Sequence, residues 1–178
     1  VKLKVGVHDL SEELDFIEKL CMQEPTRRIR LDANGSWSFD EARRVCDRLS
    51  QYQGIILEQP IDPRDLLGLD KLQQQTSMTI ALDESLVFDE EGALQTACKQ
   101  CVIKPMYMGG LRASKAVVAR AQALKKSLCV THVLESAIGR AGAVHFAAGV
   151  GDKGPHGVAD PKLNSTEMSI AGTIGHGA

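Results

Sequence analysis

The chain is expected to be an α/β protein of the (β/α) barrel type, and three observations predict it. Short apolar or alternating runs are each followed by a longer stretch with helical spacing, the pattern of βα units on a parallel sheet. Polar residues close successive runs at positions 32, 58, 83 and 104, separated by 26, 25 and 21 residues, about the length of one βα unit. A doubly wound sheet allows the same lengths, but it gathers its ligand at one switch point behind a Gly-rich phosphate loop, and no Gly-x-Gly-x-x-Gly follows the first strand. A barrel instead collects residues from several consecutive strand ends on one face.

In order along the chain, strands are expected at Val1 to Val7, Arg28 to Leu31, Ile55 to Glu58, Thr79 to Leu82, Cys101 to Lys104 and Leu128 to His132. Helices are expected at Ser11 to Gln23, Ser38 to Gln51, Arg64 to Gln75, Glu90 to Lys99 and Arg112 to Lys126. Ser11 and Ser38 are the N-cap candidates, and Leu14, Ile17, Leu20 and Cys21 make an inward stripe on the first helix. A seventh strand is read at His156-Gly157-Val158-Ala159. Residues 1–160 thus form the barrel domain and residues 161–178 a tail containing Gly, Ser and Thr without clear periodicity. A full barrel needs roughly 250 residues, so this one is read as incomplete. The opening without Met, inside a strand, reads as a domain cut from something longer.

Composition narrows the function. With 178 residues, 43% of them hydrophobic, the chain can bury a real core. Its 21 basic and 23 acidic residues nearly cancel, and no Lys or Arg run exceeds a pair, which argues against a nucleic-acid partner. No apolar stretch approaches the ~20 residues that span a bilayer, and no signal-peptide layout opens the chain, so no membrane partner is expected. Five cysteines, an odd number, hold one close pair, Cys98-x-x-Cys101, with no second pair at zinc-site spacing. A structural role for that pair and a reduced, cytoplasmic protein are the simplest account.

Three carboxylates close three successive strands, in Leu31-Asp32-Ala33-Asn34, Leu57-Glu58-Gln59-Pro60 and Leu82-Asp83-Glu84-Ser85. Singly, each reads as a loop-start or helix-capping acid. Gathered at the mouth of a barrel they would repel one another unless a cation neutralised them, and all-oxygen ligation suits Mg²⁺ or Mn²⁺. Lys2 and Lys4 flank one residue, so the pleat of a strand puts both on one face, where buried ammonium groups need carboxylates nearby. Crowding by a second cation is expected to lower a lysine's pKa toward that of a general base. Lys104 closes an apolar run before Pro105 and the loop Met108-Gly109-Gly110, and a charge there is poorly explained by solubility. The paired glycines allow either a close approach to substrate or a simple turn.

Taken together, Lys2-Leu3-Lys4, Asp32-Ala33-Asn34, Glu58-Gln59-Pro60, Asp83-Glu84-Ser85 and Ile103-Lys104-Pro105 resemble, in family order, the enolase superfamily in its muconate lactonizing enzyme-like branch. With Met108-Gly109-Gly110 and Leu134-Glu135-Ser136-Ala137-Ile138-Gly139, the set looks most like the o-succinylbenzoate synthases of that branch. The resemblance implies a TIM-type barrel of the enolase C-terminal-like kind, here without the N-terminal capping domain and first barrel strand. It implies that Asp32, Glu58 and Asp83 hold Mg²⁺, that Lys4 removes the proton α to a substrate carboxylate, that Lys104 stabilises the ene-diolate, and that Lys2 helps hold the carboxylate. Asn34 and Glu84 would support the ligands from behind, and Gly109, Gly110 and Ser136 would contact substrate.

The reaction implied is a syn dehydration of 2-succinyl-6-hydroxy-2,4-cyclohexadiene-1-carboxylate to o-succinylbenzoate, a lyase step of menaquinone or phylloquinone synthesis. The expected partners are a small-molecule carboxylate substrate and the missing N-terminal segment or a second protomer. Alternatives within the chemistry are a dipeptide or N-acylamino acid epimerase or racemase, for which two lysines suffice, and a cycloisomerase. Against the dipeptide reading, His156-Gly157-Val158-Ala159-Asp160 lacks an Asp-x-Asp to grip a peptide amine. An inactive truncated barrel acting as an interaction module is the alternative of a different class.

Overall fold

The computed structural model describes residues 1–133, 135–151 and 154–158; the expected tail at 161–178 lies outside them. The described residues fall into two compact units. The first is Val1–Cys101 with Ala123–Lys126, and the second is Val102–Gln122 with the described residues from Ser127 onward.

In the first unit, β1 (Lys2–Lys4), β2 (Ile29–Asp32), β3 (Ile55–Glu58) and β4 (Thr79–Leu82) lie in chain order, and every adjacent pair is parallel. The first residues of β5 (Gln100–Ile103) extend the same ladder, with Ala81 opposite Gln100 and Leu82 opposite Cys101. The connections are α1 (Leu10–Gln23), α2 (Phe39–Leu49) and α3 (Leu66–Gln75), then α4 (Glu84–Phe88) and α5 (Glu90–Gln95). Each crossover helix covers one face of the strands, which explains the fully buried Ile17, Leu31, Leu49, Leu57, Leu69, Leu72, Ile80 and Leu82.

Local chemistry sets the boundaries. Asp9 caps α1 by accepting from the Ser11 and Glu12 amides, so Ser11 lies inside the helix rather than capping it. Ser38 does cap α2, in a reciprocal capping box with Glu41. The stripe on α1 buries Leu14, Ile17 and Cys21, with Leu20 at its margin. The helix expected at Glu90 to Lys99 is shorter, ending as α5 at Gln95, and is preceded by the separate short α4; Asp89 joins them, and its side chain accepts from the Gly92 amide and caps α5. Residues 96–99 leave the helix there, and Lys126 ties them down: its buried ammonium donates to the carbonyls of Thr96 and Cys98, both at 2.6 Å.

The second unit holds the end of β5, α6 (Leu111–Ala123, whose last residue falls in the first unit), β6 (Ser127–Val130) and α7 (Ala137–Gly149). The Thr131 amide donates to the Ile103 carbonyl. The seventh strand read at residues 156–159 reduces, among the described residues, to one parallel bridge between Thr131 and Gly157. Cys21, Cys46, Cys98, Cys101 and Cys129 are all free thiols and all buried, as a structural reading of Cys98-x-x-Cys101 requires. No helix among the described residues is long and apolar enough to cross a membrane.

Candidate active site

Parallel register brings the candidate residues of the first unit together. Lys4 is the Cα partner of Asp32, and Asp32 is the partner of Glu58. Residues in register on neighbouring strands project to the same face of the sheet, so Lys4, Asp32 and Glu58 form one row, with Lys2 one pleat behind. The Lys2 Nζ lies 2.8 Å from Asp32 Oδ2 and 2.7 Å from Glu58 Oε1, and the Lys4 Nζ lies 2.5 Å from Asp32 Oδ2. The lysine side chains are 42% and 59% exposed, whereas Asp32, Glu58 and Asp83 are each only 1% exposed. Buried carboxylates at three successive strand ends need cations, and the edge strand supplies two.

The ion pairs set the protonation. Burial disfavours the charged form of Lys2, but Glu58 and Asp32 outweigh it and hold its pKa above the ordinary lysine value. Burial likewise pushes the Asp32 carboxyl up, yet hydrogen bonds from Lys2 and Lys4 prevail and keep it below the usual carboxylate range. The expected lowering by cation crowding therefore does not hold for Lys2: its nearest charges are carboxylates.

Three residues to which sequence reasoning gave no role, Arg30, Gln100 and Gln59, bond around this row. Arg30, nearly buried, donates from one guanidinium nitrogen to Glu58 Oε2 at 2.9 Å and from the other to Gln100 Oε1 at 2.6 Å. The two oxygens of Glu58 are thus held separately, one by Lys2 and one by Arg30. Gln59, completely buried and at a positive φ of 39°, clamps the end of β3 to the start of α4. Its Oε1 accepts from the Asp83 amide at 3.0 Å and the Ser85 amide at 3.1 Å, while its Nε2 donates to the Ser85 hydroxyl at 2.8 Å and the Ile61 carbonyl at 3.2 Å. The first amides of a helix lack intrahelical acceptors. Here Gln59 meets that need for α4, and Asp83, although it stands at the N-cap, makes no side-chain capping bond. The helix-capping reading of Asp83 is thereby excluded.

The loop after β1 is fixed by Glu13, whose carboxylate accepts from the amides of Gly6, Val7 and His8. Gly6 has φ +76°, and a Cβ there would lie 1.9 Å from the Ser36 hydroxyl, so no other residue fits beside the β2 loop. After β2, the Asn34 amide donates to Asp32 Oδ1 at 3.2 Å. The Asn34 side chain joins Lys4 to Glu84, accepting from Lys4 Nζ at 2.5 Å and donating to Glu84 Oε1 at 2.7 Å.

The remaining candidates belong to the second unit. Lys104 follows β5, its ammonium lies 5.7 Å from the centre of the Tyr107 ring, and its carbonyl accepts from the amides of Tyr107 and Met108. Gly109 and Gly110 have φ of +82° and +98°, and Gly110 donates to the Pro105 carbonyl, so the turn into α6 already requires glycine at both positions. Ser136 caps α7, accepting from the Gly139 amide.

The donor set suits a hard divalent cation: three buried carboxylates, all oxygen, at the ends of β2, β3 and β4. Among the described residues no three acidic, His or Cys side chains are drawn together closely enough to hold an ion. Asp32 and Glu58 are paired instead with Lys2, Lys4 and Arg30.

Comparison with known proteins identifies the family and the fold. The chain belongs to the Enolase C-terminal domain-like family, whose model matches residues 1–171. It is 31% identical to the L-Ala-D/L-Glu epimerase of Bacillus subtilis over 154 residues, which are 83% of this chain and 42% of that protein. It is 26% identical over 175 residues to the o-succinylbenzoate synthase of Desulfotalea psychrophila, covering 94% of this chain and 48% of that one. Among solved structures, MenC from the same strain aligns with a TM-score of 0.86 at 25% identity, over 96% of this chain and 49% of that chain. The muconate lactonizing enzyme of Pseudomonas putida aligns with a TM-score of 0.76 at 28% identity, over 82% and 42%. The chain therefore spans somewhat less than half the length of these relatives, and its fold is that of the enolase C-terminal barrel domain.

Proposed function

We propose that the protein to which this chain belongs is a Mg²⁺- or Mn²⁺-dependent lyase of the o-succinylbenzoate synthase type. The observation that carries this reading is the row Lys2, Lys4, Asp32 and Glu58 on one sheet face, with Asp83 one strand further on. The choice of lyase over its relatives is supported by the motifs after Lys104 and by the alignment to MenC over 96% of the chain.

In this reading Asp32, Glu58 and Asp83 hold the cation, which when bound would draw in the substrate carboxylate and offset the negative charge that develops beside it. Lys4, at the exposed end of the row, takes the proton from the substrate carbon α to the carboxylate. The same lysine returns that proton to the departing hydroxyl on the same face, so that water leaves and the ring becomes aromatic. Lys2, anchored by both Asp32 and Glu58, presents a fixed positive charge to the carboxylate. Arg30 keeps Glu58 oriented from below. The resemblance would give Lys104 the role of a second positive charge that stabilises an enolate. The work falls in the cytoplasm, on a small carboxylate, with a capping segment or a second protomer closing the site.

The test is turnover of 2-succinyl-6-hydroxy-2,4-cyclohexadiene-1-carboxylate with Mg²⁺ and with EDTA, using the chain alone and with a capping segment supplied. Metal-dependent formation of o-succinylbenzoate supports the reading, and none under any condition sinks it. An epimerase is the second reading, favoured by the 31% identity to the B. subtilis enzyme. It predicts exchange of the α-proton of L-Ala-L-Glu in D₂O with inversion, which the lyase reading does not.

A further inference from the structure

We propose that Glu84 is a positioning residue that acts on Lys4 through the side chain of Asn34. The proposal rests on the reading of Lys4 as the proton-transferring group, but its geometry stands apart from that reading. Asn34 lies between two opposite charges. Its Oδ1 accepts from the Lys4 ammonium at 2.5 Å, and its Nδ2 donates to Glu84 Oε1 at 2.7 Å.

A primary amide has one accepting and one donating end. Rotated by half a turn, Asn34 would aim its NH₂ at an ammonium and its carbonyl at a carboxylate, and both contacts would turn repulsive. Lys4 and Glu84 thus specify the same orientation. The amide carries the influence of the carboxylate to the lysine across a gap that neither side chain closes directly.

The backbone is arranged for this. Asn34 sits at φ 47°, a left-handed conformation that Asn tolerates better than most residues, and its amide is tied to Asp32 Oδ1 at 3.2 Å. Glu84 opens α4 directly after Asp83, and Gln59 fixes that turn by holding the Asp83 and Ser85 amides. Both ends of the relay therefore rest on well-placed backbone. Glu84 Oε2 is buried and has no hydrogen-bond partner among the described residues. A carboxylate in that setting is held mainly by what its other oxygen does, and that oxygen's partner is Asn34. Lys4 has a second acceptor in Asp32. Asn34 and Asp32 together fix the ammonium in two directions, and Glu84 decides whether Asn34 is available for its share.

A double-mutant cycle tests the relay, read on Lys4 itself. The Cε–Hε resonance of Lys4, assigned with Lys4→Met in protein carrying ¹³C-labelled lysine, is followed in wild type, Glu84→Ala, Asn34→Ala and the double variant. Asn34 is one of only two asparagines in the sequence, so its side-chain amide can also be followed in ¹⁵N-Asn-labelled protein. Glu84→Ala is expected to shift the Lys4 resonance and speed exchange of the Asn34 NH₂ protons, whereas Glu84→Gln, whose carbonyl can still accept, retains both signals. In the Asn34→Ala background, Glu84→Ala is expected to leave Lys4 unmoved. If turnover is present, Glu84→Ala lowers kcat by about 5- to 20-fold with little change in KM, and that loss vanishes in the Asn34→Ala background. An effect of Glu84→Ala on Lys4 that persists without Asn34, or no effect in either background, overturns the proposal. Failure of the lyase reading looks different: the resonance cycle holds while neither substrate is turned over.

Discussion

Replacing Gln59 by Met removes a hydrogen-bonding clamp while nearly preserving volume, and its cost can be worked from the contacts. Two buried backbone amides, those of Asp83 and Ser85, lose their acceptor, and the Ile61 carbonyl loses a donor. Each buried donor left unsatisfied costs about 1–3 kcal/mol. The Ser85 hydroxyl retains the Pro63 carbonyl as an acceptor at 2.9 Å and adds little. For the two amides the sum is about 2–6 kcal/mol, which in a domain of this size lowers the melting temperature by roughly 4–24 °C. Because the lost bonds hold the backbone that carries Asp83, affinity for Mg²⁺ should fall by about tenfold or more. Thermal unfolding followed by circular dichroism measures the first effect and calorimetric titration with Mg²⁺ the second. A variant that melts within about 2 °C of wild type, with unchanged Mg²⁺ affinity, refutes the clamp.

The other predictions concern the row itself and the core thiols. Lys4→Ala should abolish turnover while leaving Mg²⁺ affinity nearly intact, and Asp83→Asn should weaken the metal instead; calorimetry and the lyase assay run on each variant show whether the two effects separate. Arg30→Met leaves one oxygen of the buried Glu58 without its guanidinium and should destabilise by about 2–4 kcal/mol, read from urea midpoints. Burial pushes the thiols of Cys46 and Cys98 up to about 11 and that of Cys101 to about 12, so a thiol reagent at neutral pH should modify them only after unfolding. A raised folded pKa means that their contribution to stability is complete below the ordinary thiol value and is lost as pH rises through the folded values. Urea midpoints should therefore decline above about pH 9.

The strand ends were legible because an apolar run closed by a polar residue repeats at the length of a βα unit, and β3 and β4 fall where the pattern places them. Other elements leave weaker traces. A helix as short as α4 has no periodicity to read, and α7, rich in Ala and Gly, has no apolar stripe. Asp9 and Ser11 are both cap-type residues two positions apart. Asp9 is the one that caps, directly after a loop whose Gly6, Val7 and His8 amides are held by Glu13. Arg30 reads along the chain as the outward residue of a half-exposed strand, and Gln59 as a loop residue before proline. Their roles come from partners 70 and 24 to 26 positions away, Gln100 for Arg30 and the turn at Asp83 and Ser85 for Gln59, and no local pattern encodes those separations.

The lysines illustrate how one register carries both fold and chemistry. A Lys-x-Lys on an edge strand is ordinarily a solvated face, and nothing within β1 distinguishes it from one. The distinction arises because Lys4 pairs with Asp32 and Asp32 with Glu58, which commits the lysines to the carboxylate face. Sliding β1 by one residue would turn Leu3 toward the carboxylates and both lysines away from them. The buried acids then lose two cations, and a cost of several kcal/mol opposes the slip. The charges proposed for catalysis thus also select the pairing that places them. This explains why Lys2 is held protonated by its partners, while Lys4 stands at the open end of the row with Asn34 as its second acceptor.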